Sequence, residues 1–134
     1  MAAKYLLDTN ACINYLNYPG SAIYQAIQSV PSDDIAVCSV VKAELFFGSM
    51  NSKNPTQNLM IQNRFLRNFV SFAFDDRAAE LYAEIRAHLS SIGKLIGPYD
   101  MLIASIAIAN HLTLVTNNVR EFSRVPGLVI EDWQ

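Results

Sequence analysis

The chain has 134 residues, 51% of them hydrophobic, with ten basic residues scattered singly and a net charge of −2; this is the length of one domain, able to bury about two-thirds of the surface its unfolded form exposes. There is no basic stripe of the kind that advertises nucleic-acid binding, and the longest nearly apolar run, Met101 to Ala109, is about half the ~20 residues a membrane span needs. The N-terminus shows neither a basic leader with an apolar core nor a small-residue cleavage site, so the mature chain is expected to start at Met1 or Ala2 and to stay in the cytoplasm.

The stretch Lys4 to Asn10 reads as a short buried strand that ends on a carboxylate, Asp8, followed by two small polar residues that cannot continue it. Ligands gather just beyond the carboxyl ends of strands in an open parallel sheet, which makes Asp8 the first candidate site residue. Capping the next helix is an equally ordinary job for an Asp in such a loop. That helix is expected over Ala11 to Tyr18, stopping near Pro19-Gly20, and Ser21 can cap a second over Ala22 to Val30, which ends before Pro31. Ile35 to Cys38 is a continuous apolar run, the mark of a strand buried on both faces. Ser39 is expected to cap a helix over Val40 to about Phe47, stopping near Gly48.

Ser49 to Asn58 turns small and polar and reads as an exposed loop. Helical spacing returns over Leu59 to Val70, followed by a short strand at Ser71 to Phe74. Asp75 can cap the next helix, whose stripe of Ala78, Leu81, Tyr82, Ile85, Leu89 and Ile92 faces the core and is closed by Gly93. Gly97-Pro98-Tyr99-Asp100 opens another helix, because Pro is favoured at the first helical position. Its body, Met101 to Ala109, is apolar on nearly every face, so it is buried all round, inside the domain or partly against a second copy. Thr113 to Thr116 and Leu128 to Ile130 complete the strands. Strands alternating with helices imply an α/β/α sandwich around a central, mainly parallel sheet, in a single domain over 1–134.

Strand exits in a parallel sheet share one edge, which should gather Asp8, Ser39 and Asn118. Glu44 lies in the helix after the second strand among apolar neighbours, and Asp100 lies in a first helical turn, where the dipole favours its ionised form. Three acids at one edge repel one another unless a proton or a cation intervenes, and oxygen-only ligands point to a hard cation such as Mg²⁺ or Mn²⁺. His88 and His111 read as surface or helix-end histidines. Cys12 and Cys38 lack zinc spacing and read as reduced core thiols.

With Leu7-Asp8-Thr9-Asn10, Ser39 to Gly48 around Ala43-Glu44-Leu45, Ile96 to Asp100, Leu114 to Phe122 and Arg124 to Leu128 in this order, the chain resembles the PIN-domain ribonucleases. Within them it looks like the VapC-type toxins of bacterial toxin–antitoxin pairs. The resemblance implies that Asp8, Glu44 and Asp100 are the acids that bind one or two Mg²⁺ or Mn²⁺ ions and support metal-assisted hydrolysis of RNA. Many members carry a fourth acid where this chain has Asn118, a departure that bears on a second ion, toward which Glu121 could reach. The Thr-Asn-Asn-x-Arg-Glu-Phe pattern resembles toxins that cut initiator tRNA in the anticodon loop. A homodimer and a VapB-type antitoxin are the partners implied, and Arg86, Lys94, Arg120 and Arg124 are candidate phosphate contacts.

Two other readings share the fold class. A phosphoacceptor domain would need an acidic pair after the first strand and a Lys after the last, whereas Thr9-Asn10 follow Asp8, and Glu131-Asp132 follow Ile130. A catalytically inactive PIN-like binding module would have no need of the intact acidic trio.

Overall fold

The computed structural model describes residues 2–134; the expected start at Met1 lies outside them. Five strands, β1 (Tyr5–Leu7), β2 (Ile35–Cys38), β3 (Val70–Phe72), β4 (Thr113–Val115) and β5 (Ile130–Glu131), form one sheet in the order β3-β2-β1-β4-β5. Every pairing is parallel, with Tyr5 opposite both Ile35 and Thr113. Flanking it are α1 (Thr9–Asn17), α2 (Ala22–Ser29), α3 (Ser39–Met50), α4 (Pro55–Leu66), α5 (Asp76–Ser91), α6 (Pro98–Ala109) and the four-residue α7 (Val119–Phe122).

Successive strands run outward from β1 through β2 to β3, and the chain then crosses back to place β4 and β5 on the other side of β1. This reversal makes the junction of β1 and β4 a topological switch point, and the crevice beyond their carboxyl ends is where ligands bind in such sheets. The central strands are apolar because both faces are covered: Leu6, Leu7, Leu114 and all four residues of β2 are buried. The core is completed by α6, in which Met101 and Ile103 to Ala107 are buried within the one chain. Ser105 is tolerated there because its hydroxyl donates to the Met101 carbonyl one turn back, at 2.6 Å.

The structure corrects several expected boundaries. Cys38, not Ser39, holds the cap position of α3, without a side-chain cap, and Ser39 is the first helical residue. That helix runs through Gly48 to Met50, with Ser49 buried against its surroundings. The expected loop 49–58 shrinks accordingly, because Pro55 opens α4 and the helix ends at Leu66 rather than Val70. β3 starts one residue earlier and ends two earlier than expected, β5 lies further along, and α7 had no sequence signal. Ile92 is half-exposed and drops off the apolar stripe of α5. Cys12 and Cys38 are free and buried, as expected.

Candidate active site

Asp8 is the cap of α1 and also stands in the crevice beyond the carboxyl end of β1. As the cap of α1 its Oδ1 accepts the Ala11 backbone N–H at 2.8 Å, while its own N–H donates to the Val115 carbonyl of β4 at 3.1 Å. These bonds pin the carboxylate at the switch point, where it is only 4% exposed. Asp8, Thr9, Asn10, Ile13, Glu44, Asp100, Asn118 and Phe122 line a cleft of about 260 Å³. All three expected acids and Asn118 therefore meet in one place. Glu121 does not line the cleft, but its charge bears on Asp100.

Burial pushes the Asp8 carboxyl above its ordinary range; the Thr116 hydroxyl and the Ala11 N–H pull the other way, and Glu44 and Asp132 add to the rise. Asp100 is pushed up to about 6, by burial first and then by Glu121, Glu44 and Asp8. The helix N-terminus was expected to favour the ionised form of Asp100; loss of water around the half-buried side chain outweighs it. Burial also drives the Cys12 thiol well up, with the nearby Asp8 charge adding to the effect, so it stays protonated.

No Lys, Arg or His lines the cleft, and the one ion pair among the described residues, Lys4 with Asp34, lies at the opposite end of the sheet. An oxygen-only donor set with raised carboxyl pKa values and no counter-charge suits a hard divalent cation. Among the described residues no three acidic, His or Cys side chains already converge as a metal cage. The fit is therefore one of donor chemistry and shared location.

Sharing Glu44 with this cleft is a larger groove of about 710 Å³ between α3 and α6, lined by Ser39, Val40, Ala43, Phe47, Tyr99 and Leu102. It is mostly apolar, and Phe47 is 72% exposed. Two threonines at the site had not stood out in the sequence. Thr9 donates to Glu44 Oε1 at 2.6 Å, and Thr116, buried at the end of β4, accepts the Asn118 N–H at 2.9 Å. The available signal was a hydroxyl residue adjoining each strand-end polar position, although what it bonds depends on the fold. Arg124 is engaged in holding the chain ahead of α6, donating to the Leu95 carbonyl at 3.3 Å. His111 ends α6 in a left-handed conformation, φ 56°, and His88 is exposed on the last turn of α5, so neither reaches the cleft.

A parallel sheet with carboxylates gathered over its switch point defines an α/β protein with an acidic cleft. The PIN domain family model matches residues 5–128, and the chain belongs to the PIN-domain family, among its VapC ribonucleases. It is 39% identical over 130 residues to Ribonuclease VapC2 of Rickettsia felis, covering 96% of this chain and 97% of that protein. It is 36% identical to the tRNA(fMet)-specific endonuclease VapC of Salmonella typhimurium, covering 97% and 98%. Among solved structures it is similar to the DNA-bound VapBC of Salmonella typhimurium, with a TM-score of 0.93, 36% identity and coverage of 98% and 99%.

Proposed function

We propose that this ribonuclease is the toxin of a toxin–antitoxin pair and that it hydrolyses RNA at the cleft formed by Asp8, Glu44 and Asp100. The observation that carries this reading is the meeting of three carboxylates, without a counter-charge, at the β1/β4 switch point. Mg²⁺ or Mn²⁺ is the cofactor these donors suit, and when bound it supplies Lewis acidity to the reacting phosphodiester. Asp8 contributes a carboxylate locked by the Ala11 N–H. Glu44 contributes a second and Asp100 a third; burial and the neighbouring acids push the Asp100 carboxyl up to about 6, and a bound cation would favour its ionised form. Asn118 offers a neutral oxygen where a second ion would need more charge, and Glu121 is the nearby acid that can supplement it.

The substrate proposed is tRNA, on the strength of the Salmonella typhimurium relative, which is named for tRNA(fMet); cleavage in the initiator anticodon loop is the finer expectation. The VapBC complex that this chain resembles supports a VapB-type antitoxin as partner. Its initially disordered C-terminal segment would order along the acidic cleft and the apolar groove beside it. A homodimer is also proposed, on a narrower basis than the sequence suggested. Phe65 is already buried in the chain's own core and Phe46 and Phe69 pack against it, so that of the four phenylalanines in and near α3 and α4 Phe47 alone is exposed, with Met50 and Tyr99 among the other exposed apolar residues. No described helix is long and apolar enough to cross a membrane; the cytoplasm is proposed as the site of action because the proposed substrate is tRNA.

The test is incubation of the purified chain with total RNA, with and without Mg²⁺, followed by mapping of new 5′ ends. Metal-dependent ends concentrated in one tRNA are expected. RNA bound but left intact would indicate a catalytically inactive binding module.

A further inference from the structure

Thr9 and Glu44 lie 35 positions apart, yet the Thr9 hydroxyl donates to Glu44 Oε1 at 2.6 Å. A hydroxyl-to-carboxylate bond of that length is charge-assisted, stronger than one between neutral groups. Thr9 is the first residue of α1, directly after the capping Asp8, and its hydroxyl meets the end of the Glu44 side chain, which extends from the middle of α3. Among the described residues this is the one hydrogen bond Glu44 receives, and no Lys or Arg pairs with it.

The acids of the cleft are thus held in different ways. Asp8 has a short side chain fixed by a backbone N–H. Glu44 has a longer, more flexible side chain and no backbone anchor, so its carboxylate has more freedom to lose when a cation orders it. We infer that Thr9 is a positioning residue for the metal site: its hydroxyl takes one oxygen of Glu44 and leaves the other free to face the cleft. Outer hydrogen bonds to ligating carboxylates act in this way, and their loss typically weakens metal binding by about 10–100-fold. The inference deepens the proposed function and rests on its reading of the cleft as a cation site.

The alternative role for Thr9 is a brace between α1 and α3 with no bearing on a cation. The two are separated by calorimetric titration of Mn²⁺ into the metal-stripped full chain without RNA, alongside melting in EDTA. Thr9→Val keeps the shape and removes the donor; it should weaken Mn²⁺ binding by about tenfold, the lower end of that range. Its melting in EDTA reads what the bond contributes as a brace, and Thr9→Ser, which restores the hydroxyl, should bind Mn²⁺ as the wild type does. In a Glu44→Gln background Thr9→Val should cost nothing further, because the two residues act as one unit.

Wild-type Mn²⁺ affinity in Thr9→Val overturns the inference, as does failure of Thr9→Ser to restore binding. An undiminished loss in the Glu44→Gln background also overturns it, and that comparison decides the matter if Thr9→Val melts lower. If Asp8→Asn and Glu44→Gln weaken Mn²⁺ binding while Thr9→Val does not, the cation site stands and the Thr9 role alone falls. If none of the three weakens it, both fall.

Discussion

The two ends of the parallel sheet treat their acids in opposite ways. At the amino end Asp34 lies 3.8 Å from the Lys4 ammonium, and its carbonyl accepts the Lys4 N–H at 2.7 Å. At the carboxyl end Asp8, Glu44 and Asp100 share a cleft that no Lys, Arg or His lines, and burial raises the carboxyls of Asp8 and Asp100. The first arrangement is what folding alone selects. The second carries a standing electrostatic cost that the fold does not need, and such costs cluster where chemistry is done.

Breaking the carboxyl end should have the largest effect. Asp8→Asn preserves the cap of α1, since Asn caps as well as Asp, but removes the charge that would hold a cation. RNA cleavage should fall beyond the ~100-fold typical of losing an outer-sphere partner, with the helix content unchanged. Wild-type turnover in this variant would end the assignment of the cleft. Asp100→Asn should behave in the same way. Asp8→Ala is the less clean change, because it also forfeits a cap worth about 1 kcal/mol.

A smaller change sharpens the same end. Asn118→Asp adds a carboxylate at nearly constant size, and the Mg²⁺ concentration for half-maximal cleavage should drop by something on the order of tenfold. The charge of Glu121 already bears on Asp100, so Glu121→Gln should shift the requirement upward if it supplements the second ion. Metal titrations of cleavage by the wild type and both variants read this directly. An unchanged requirement in both would leave the ion to Asp8, Glu44 and Asp100 alone.

Linkage gives the next effect and its sign. Asp100 holds its proton more tightly when folded, with its pKa raised from 3.8 to about 6. In EDTA its contribution is therefore fully favourable below about pH 4 and is lost as pH rises through about 6. Asp100→Asn should melt higher than the wild type at pH 7.5, and the gap should close as pH falls toward 4. A constant gap across that window would show that burial and neighbouring acids do not act on Asp100 as described. Saturating Mn²⁺ should reverse the order at pH 7.5, because the wild type would gain a bound cation that the variant cannot hold.

Much of this arrangement was legible because the signals are local. Apolar runs that stop on polar residues marked β1, β2 and β4, and thereby Asp8 and Asn118; Gly97-Pro98 marked the start of α6 and so placed Asp100. The α3–α4 region was misjudged because Gly48 and Ser49 usually end a helix, whereas here α3 runs through both to Met50. Pro55 was taken for part of a polar loop although it is also a start signal, and the polar Thr56-Gln57-Asn58 hid the first turn of α4. Four residues of α7 are too few to show a period. The Thr9 to Glu44 bond could not be read at all, since neither residue reveals its partner 35 positions away.

The smallest effect belongs to the amino end. The Lys4 side chain is 61% exposed, so its pair with Asp34 works largely through water, where such contacts contribute about 0.2–1 kcal/mol. Asp34→Asn should lower the melting temperature slightly, by an amount that shrinks as salt is raised. The backbone bond from Lys4 N to Asp34 O does not involve the side chain and should keep the register of β1 against β2. In one buffer at pH 7.5 without metal, then, removing a paired acid at one end should cost a little stability, while removing an unpaired acid at the other should add it. If Asp34→Asn stabilised the chain as Asp100→Asn is expected to, the two ends would not differ in kind, and the raised pKa of Asp100 would lose its functional meaning.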